Sequence, residues 1–235
     1  MNGAESLINA LAEAGVDTCF ANPGTSEMQL VAAIDKQPKM HAVLCLFEGV
    51  VTGAADGYGR MADKPALTLL HLGPGFGNGT ANLHNARRAF SPVLNMIGDH
   101  ATYHLQYDAP LTADIEGFAK PVSAWIGLSQ SADDLAAVGL QAWAKAQDYP
   151  GRVTSFIAPA DHAWTETRSA SAIPAVAAAP TAASADINAA VEALQKGSVA
   201  IMLGAMALRE DALWQAGRIA AASGARLITE TFFTR

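Results

Sequence analysis

Charge is scarce in this sequence, and clustered basic charge is missing altogether. Only 16% of the 235 residues are Asp, Glu, Lys or Arg, and the formal net charge is −7. Lysines and arginines are scattered instead of forming a stripe, so nucleic acid is not an expected partner. A polyanionic ligand would have to be held by backbone amides or a metal. No apolar run approaches the roughly 20 residues of a membrane span, and no membrane partner is expected. The start, MNGAESLINALAEAG, has no basic residue, which argues against a secretory signal. Cysteine is limited to Cys19 and Cys45, both in apolar, strand-like runs without CxxC spacing. They read as buried free thiols of a cytoplasmic protein. A GxSxG elbow is absent too, and Ser91 before Pro92 has no evident partner, so serine hydrolase chemistry is unsupported.

What is abundant is apolar residues, at 51%, enough for a sizeable core. They are arranged as alternating strands and helices. Leu7, Ile8 and Leu11 lie on one helical face, with Gly15 after it. Residues 17–21 form a short strand that Asn22-Pro23-Gly24 breaks, and Thr25 or Ser26 can cap a helix running to about Ile34. A second strand is expected over 42–47, with Cys45, Leu46 and Phe47 at its buried end. A helix from Glu48 then runs to Lys64-Pro65. Residues 66–72 form an uninterrupted apolar strand of the kind buried on both faces of a parallel sheet. A Gly-rich loop follows, then a helix over about 78–90 and a strand over 93–97. Helix 135–146 and strand 152–158 complete the block. This rhythm predicts an α/β fold: a doubly wound parallel sheet with helices on both faces, followed by a partial second α/β unit.

The expected domains are 1–168, an Ala/Pro/Ser-rich linker over 169–185, and an incomplete second unit over 186–235. That second unit offers only two strands and two helices, so it is expected to need a continuation or another chain. Ligands in doubly wound sheets bind at the carboxyl ends of the strands. The loops there are 22–27, 48–49, 71–79 and 98–100.

Glu48 is the singular residue of those loops, an acid between CLF and the small-residue run GVVTGAADGYGR. A buried carboxylate without a partner is costly, although a helix N-terminus alone would favour the charge. The segment Gly73-Pro74-Gly75-Phe76-Gly77-Asn78-Gly79 is not GxGxxG, because Thr80 occupies the required position, and it lacks a P-loop ending. It still allows close backbone approach. His71 after a strand reads, taken alone, as structural. Asp99, His100 and His104 would have zinc spacing only on a helix, and the segment reads as a strand exit, so no metal site is expected.

Taken in order, FANPGTSE, CLFEGVVTGAADGYGR and KPALTLLHLGPGFGNGTANLHNARRAFSPVLNMIGD resemble the N-terminal, pyrimidine-binding domain of thiamine diphosphate-dependent enzymes. The group is that of acetolactate synthase, pyruvate decarboxylase and benzoylformate decarboxylase. The resemblance covers residues 1 to about 165 and continues into 186–235 as the start of a central Rossmann-like domain. It implies that Glu48 bonds the N1′ nitrogen of the cofactor's aminopyrimidine and activates it for chemistry on 2-oxo acids. It further implies cofactor contacts from Pro23, Gly24, Gly73, Pro74, Gly75 and Asn78, and a substrate side lined by Thr25 and His71. Asn82 would shape the pocket without transferring protons.

The family's GDG…N motif, which binds Mg2+ and the diphosphate, is missing, since Gly98-Asp99-His100 is only a partial match. Mg2+ is therefore expected through a diphosphate-binding domain absent from this chain, supplied by a continuation or another chain. FAD in the central domain has no supporting motif. The expectations are a 2-oxo acid decarboxylase or carboligase, a homodimer or homotetramer in its complete form, and no activity from this chain alone. The alternatives are a non-catalytic dimerisation or regulatory module of the same fold, or one half of a split enzyme.

Overall fold

The computed structural model describes residues 1–168 and 171–231. The first two residues of the expected linker, Ser169 and Ala170, and the final Phe232 to Arg235 lie outside the described residues. Two compact units divide the chain at Ala177 and Ala178.

The first unit opens with α1 (Gly3–Glu13), β1 (Thr18–Asn22), a 3-10 turn (Thr25–Glu27), α2 (Met28–Lys36) and β2 (His41–Leu44). It continues with α3 (Glu48–Ala62), β3 (Ala66–Leu70), α4 (Leu72–Arg88) and β4 (Val93–Asp99). A 3-10 segment (Thr102–Tyr107), α5 (Ile115–Ala119), β5 (Trp125–Leu128), α6 (Leu135–Ala146), β6 (Val153–Pro159) and α7 (Ala160–Trp164) complete it. Asn2 opens α1 with a reciprocal cap: its Oδ1 accepts from the Glu5 amide at 2.9 Å, and its own amide donates to Glu5 Oε2.

All six strands pair in parallel, in the order β2-β1-β3-β4-β6-β5. The three central strands, β3, β4 and β6, are buried throughout, as their near-continuous apolar composition requires. Their side chains alternate between two cores. Leu67, Leu69, Leu94 and Met96 pack with Leu7, Ile8 and Leu11 of α1, Leu30 of α2 and Leu140 of α6 on one face. Ala66, Leu70, Val93 and Ile97 pack with Val51 of α3, Phe76 and Leu83 of α4 and Ile115 of α5 on the other. A cross-strand polar row runs through the sheet. Thr68 Oγ1 donates to Asn95 Oδ1 at 2.8 Å, and Asn95 Nδ2 donates to Ser155 Oγ at 3.1 Å. Each buried polar atom in that row thus has a partner, which removes the burial penalty.

The strand order creates a switch point. From β1 the chain moves through α2 to the edge strand β2, then returns through α3 to β3 on β1's other side. The segments leaving β1 and β3 diverge to opposite faces, because α2 belongs to one core and α4 to the other. That divergence opens a crevice at the carboxyl ends of these two strands, the usual ligand position in such sheets.

Two sequence expectations need correction. The Gly-rich segment is not a loop: α4 begins at Leu72 instead of about 78, with Pro74 in the first turn, where its missing amide costs nothing. Leu46 and Phe47 are not the buried end of a strand. β2 ends at Leu44, and these side chains are exposed, Leu46 by 91%. The short strand β5 and helix α5 also escaped the pattern, since WIGL is only partly buried at the sheet edge. Cys19 and Cys45 are buried free thiols, and burial pushes Cys19 up to about 12.

The second unit contains α8 (Ser184–Gln195), β7 (Ala200–Leu203), α9 (Glu210–Ser223) and β8 (Arg226–Thr229). β7 and β8 pair in parallel, and Leu203, Leu208 and Ala216 form a small core. Among the described residues no helix is long and apolar enough to cross a membrane.

Asp17 ties the foot of β1 to the end of α3. Its carboxylate accepts from Tyr58 Oη at 2.6 Å and Thr18 Oγ1 at 2.9 Å, and it pairs with Lys64. Burial by itself would raise this carboxyl, but the bonds from Lys64, Tyr58 and Thr18 overcome it and hold the group at about 2, below the ordinary 3.8. A depressed acid stabilises the fold above its unfolded value and ceases to do so as pH falls through the folded value. Asp17→Asn is expected to cost about 0.5–1 kcal/mol at pH 7, a modest figure because the pair is solvent-screened. The variant and parent should converge between pH 4 and 2 in urea unfolding, and parallel pH curves would contradict the assignment.

Candidate functional site

Three strand ends meet at the carboxyl edge. Asn22 of β1 pairs with Leu70 of β3, and Leu70 pairs with Ile97 of β4. The segments beyond them therefore lie side by side: Pro23 to Glu27, His71 onward, and Gly98-Asp99. Glu48 joins them from the start of α3.

Glu48 is buried, with 9% of its surface exposed. Asn78 Nδ2 donates to its Oε2 at 3.0 Å. Its Oε1 accepts no hydrogen bond among the described residues, yet it is not sealed from solvent. The carboxylate thus has one satisfied oxygen and one available acceptor. Gly75 separates it from His71. A Cβ on Gly75 would stand 3.0 Å from Glu48 Oε1 and 3.3 Å from His71 Cβ, so a larger residue would crowd both.

Glu48 owes its position to a tight crossing of α3 and α4. Thr52 Oγ1 donates to the carbonyl of Gly79 at 3.0 Å while lying 3.1 Å from the Glu48 carbonyl of its own helix. Asn82 Nδ2 donates to the Gly49 carbonyl at 2.7 Å. Asn82 therefore adds a side-chain bond to a carbonyl in the first turn of α3 and ties the two helices together. Further along α3, Asp56 accepts a bidentate pair from Arg60 at 2.9 and 2.8 Å and a bond from Ser91 Oγ at 2.5 Å. These contacts give the acid and arginine of the ADGYGR stretch a structural role.

Sequence reasoning placed Glu27 at the end of the 22–27 loop, which the resemblance puts on the substrate side, but gave it no role of its own. It is the most enclosed acid of the site, with 0% exposure. Its Oε2 accepts from the Gly24 amide at 2.6 Å and faces His71 Nδ1 at 2.8 Å. Among the described residues its Oε1 is buried without a partner, in a space that exists because residue 98 is glycine: a Cβ there would overlap the carboxylate. Burial pushes the Glu27 carboxyl up, against the opposing influence of Gly24 and His71. Gly24 lies against the His71 ring so closely that a Cβ would collide with it. The only available clue was an acid three residues after Gly24, the spacing of a capping carboxylate. Nothing in the pattern revealed its burial.

The remaining expected positions divide. Gly24 and Gly75 both lie against His71, with Pro23 preceding Gly24, whereas Gly73 faces Ala113 and Phe118, and Leu72 beside His71 holds a left-handed backbone with φ +50°. That conformation strains a non-glycine residue. Thr25, Pro74 and Asn78 are exposed, and among these Asn78 alone touches Glu48. Asp99 is buried at the end of β4, and burial raises its carboxyl. The His100 and His104 rings stand 5.7 Å apart, and no cluster of three metal-ligating side chains occurs among the described residues.

Comparison with known proteins bears on this arrangement. Residues 1–120 match the family described as thiamine pyrophosphate enzyme, N-terminal TPP binding domain. The chain is 51% identical over 236 residues to the Mycobacterium tuberculosis "Putative acetolactate synthase large subunit IlvX", covering all of this chain and 45% of that protein. It is 33% identical over 112 residues to benzoylformate decarboxylase of Pseudomonas aeruginosa, covering 47% of this chain and 21% of the relative. A solved structure, a thiamine diphosphate-dependent 4-hydroxybenzoylformate decarboxylase of Rhodococcus jostii RHA1, shares the fold at a TM-score of 0.85. It is 24% identical, over 97% of this chain and 44% of that one. The chain spans about half the length of such relatives or less.

The Thr52–Gly79 crossing can be tested by itself. A Cβ on Gly79 would meet Thr52 Cγ2 at 2.7 Å, so Gly79→Ala should cost about 1–3 kcal/mol through overpacking. Adding Thr52→Ser removes that methyl while keeping the hydroxyl, and should recover much of the loss in thermal unfolding. A double variant no more stable than Gly79→Ala would contradict the contact as the cause.

Proposed function

Because the chain belongs to the thiamine pyrophosphate enzyme family through an acetolactate synthase-like N-terminal domain, we propose that it holds the pyrimidine half of thiamine diphosphate in an enzyme acting on 2-oxo acids. The observation carrying this reading is the buried Glu48 with one oxygen engaged by Asn78 and the other available. Such an acceptor fits the protonated N1′ of an aminopyrimidine, and burial strengthens a hydrogen bond made there. When bound, the cofactor supplies an electron sink for breaking or forming a bond beside the 2-oxo carbonyl.

The chain's own residues have distinct tasks in this reading. Glu48 would bond N1′ and activate the cofactor through it. Asn78 holds the carboxylate's orientation from the opposite side. Gly73, Pro74 and Gly75 would let the backbone of α4 approach the ring, with Pro23 and Gly24 on the neighbouring segment. His71 and Thr25 would face the 2-oxo acid. Residues 1–168 serve as the pyrimidine-binding domain, 169–185 as the linker and 186–235 as the beginning of a central domain.

Mg2+ and the diphosphate would be held by a further domain, from a continuation or another chain, so this chain alone would be inactive. Exposed Leu44, Leu46, Phe47, Val50 and Met61 supply apolar area suited to covering in a homodimer or homotetramer.

In the complete enzyme with thiamine diphosphate and Mg2+, Glu48→Gln should lower turnover of pyruvate or benzoylformate by on the order of 100-fold or more, the scale of lost acid–base assistance. Undiminished turnover would overturn the role of Glu48.

A further inference from the structure

The first turn of α4 is strained, and part of its support comes from a segment further along the chain. Leu72 holds a left-handed backbone, and the Gly75 amide closes the turn by donating to the His71 carbonyl at 2.9 Å. A non-glycine residue keeps such a conformation only where its surroundings over-determine it. Three contacts do so here. Gly24 lies against the His71 ring, and Glu48 lies beside Gly75. Ala113 lies against Gly73, so closely that a Cβ there would stand 2.3 Å from the alanine Cβ.

Ala113 ends the segment 100–113, which leaves β4 and leads into α5. That segment is braced from within. His100 Nε2 reaches the Pro110 carbonyl at 3.1 Å. A carbonyl can only accept, so Nε2 carries a proton and the brace holds whether the ring is neutral or charged. The amides of His104, Asp108 and Thr112 donate to the carbonyls of Ala101, Leu105 and Ala109. The His104 ring lies 5.7 Å from that of His100 and 5.8 Å from that of Tyr107. A loop packed by its own side chains is placed as one piece by whatever ties it down.

The tie is Asp161, the second residue of α7. One carboxylate oxygen accepts from the Thr102 amide at 3.0 Å, and the other accepts from the Thr102 hydroxyl at 2.5 Å. Burial by itself would raise this carboxyl, but the bonds from Thr102 hold it below its ordinary value. It therefore acts as a charged acceptor, the stronger kind. Among the described residues the Asp161 carboxylate makes no hydrogen bond to α3 or α4.

We infer that Asp161 is a positioning residue for the first turn of α4: by anchoring 102–113 it keeps Ala113 on Gly73 and holds the backbone of 73–75 in place. The inference rests on the proposed function in giving Gly73, Pro74 and Gly75 to the cofactor. Its effect falls on cofactor binding and not on turnover. Glu48 is placed by the contacts of α3 with Asn78, Gly79 and Asn82, and none of these involves 102–113.

The first arm of the test needs no cofactor. Amide hydrogen exchange is followed by NMR in the 235-residue chain, with Asp161→Ala, Asp161→Asn and Thr102→Val beside the parent. Asp161→Ala should speed exchange of the Gly75 amide by on the order of tenfold, the scale of one charge-assisted hydrogen bond, while Leu69 in β3 is unchanged. Asp161→Asn keeps one carbonyl acceptor for the Thr102 amide and should recover most of the protection. Thr102→Val, which removes only the hydroxyl, should show the same pattern at smaller size and stands in if Asp161→Ala fails to fold. Faster exchange confined to 102–113, with Gly75 unchanged, would overturn the inference. Equal acceleration at Gly75 and Leu69 would overturn it too, as general loosening. Both results would leave the reading of Glu48 standing.

The second arm uses the complete enzyme. Asp161→Ala should raise KM for thiamine diphosphate by about tenfold and leave kcat at saturating cofactor within about twofold, the mark of lost uniform binding. Asp161→Asn should restore most of the affinity. A fall in kcat with KM unchanged would overturn the assignment.

Discussion

The crossing of α3 and α4 is the contact on which the site depends. Glycine at 79 lets the two helices approach until the Thr52 hydroxyl reaches the Gly79 carbonyl. That approach brings Asn82 to Gly49 and Asn78 to Glu48. An acid in the first turn of a helix is ordinary, and the helix dipole favours it. What is unusual is an acid there that is buried and given one side-chain donor by a neighbouring helix whose own first turn carries glycine at 73 and 75. The glycines of α4 are the means: they remove bulk next to Glu48, His71 and Thr52.

The sheet topology adds the second element. Reversal of strand order between β1 and β3 would create a crevice in any such fold. This sequence furnishes it with a buried acid and an imidazole joined at 2.8 Å. Glu48 and His71 both lie against Gly75, and the carboxylates of Glu48 and Glu27 occupy different environments. Glu48 keeps an oxygen open to solvent, whereas Glu27 is sealed. Differing environments for neighbouring carboxylates are the usual way that distinct roles are assigned to chemically identical groups.

Much of this was legible in the sequence, for identifiable reasons. The continuous apolar run at β3 pointed to a strand buried on both faces, and β1 ends at Asn22, within one residue of where the pattern indicated. Glu48 drew attention because an acid interrupted small and apolar residues. The start of α4 was hidden because glycine and proline have poor helix propensity, and here tertiary contact overrides propensity. Gly73, Gly75 and Gly79 each give up intrinsic helicity for proximity to particular side chains. Glu27 was hidden for the opposite reason: within TSE it looks like any polar turn residue, and its burial arises from β3 and β4, which lie far along the chain. Leu46 and Phe47 misled because apolar composition suggests burial, whereas here it accompanies an exposed surface.

The central claim is that the free oxygen of Glu48 receives the aminopyrimidine of thiamine diphosphate. A crystal structure of the complete enzyme with that cofactor would test it most directly. The account predicts a Glu48 carboxylate oxygen within hydrogen-bond distance of N1′, at about 2.6–3.0 Å, with Asn78 still on the other oxygen. An aminopyrimidine bound elsewhere, or Glu48 turned away from it, would contradict the account.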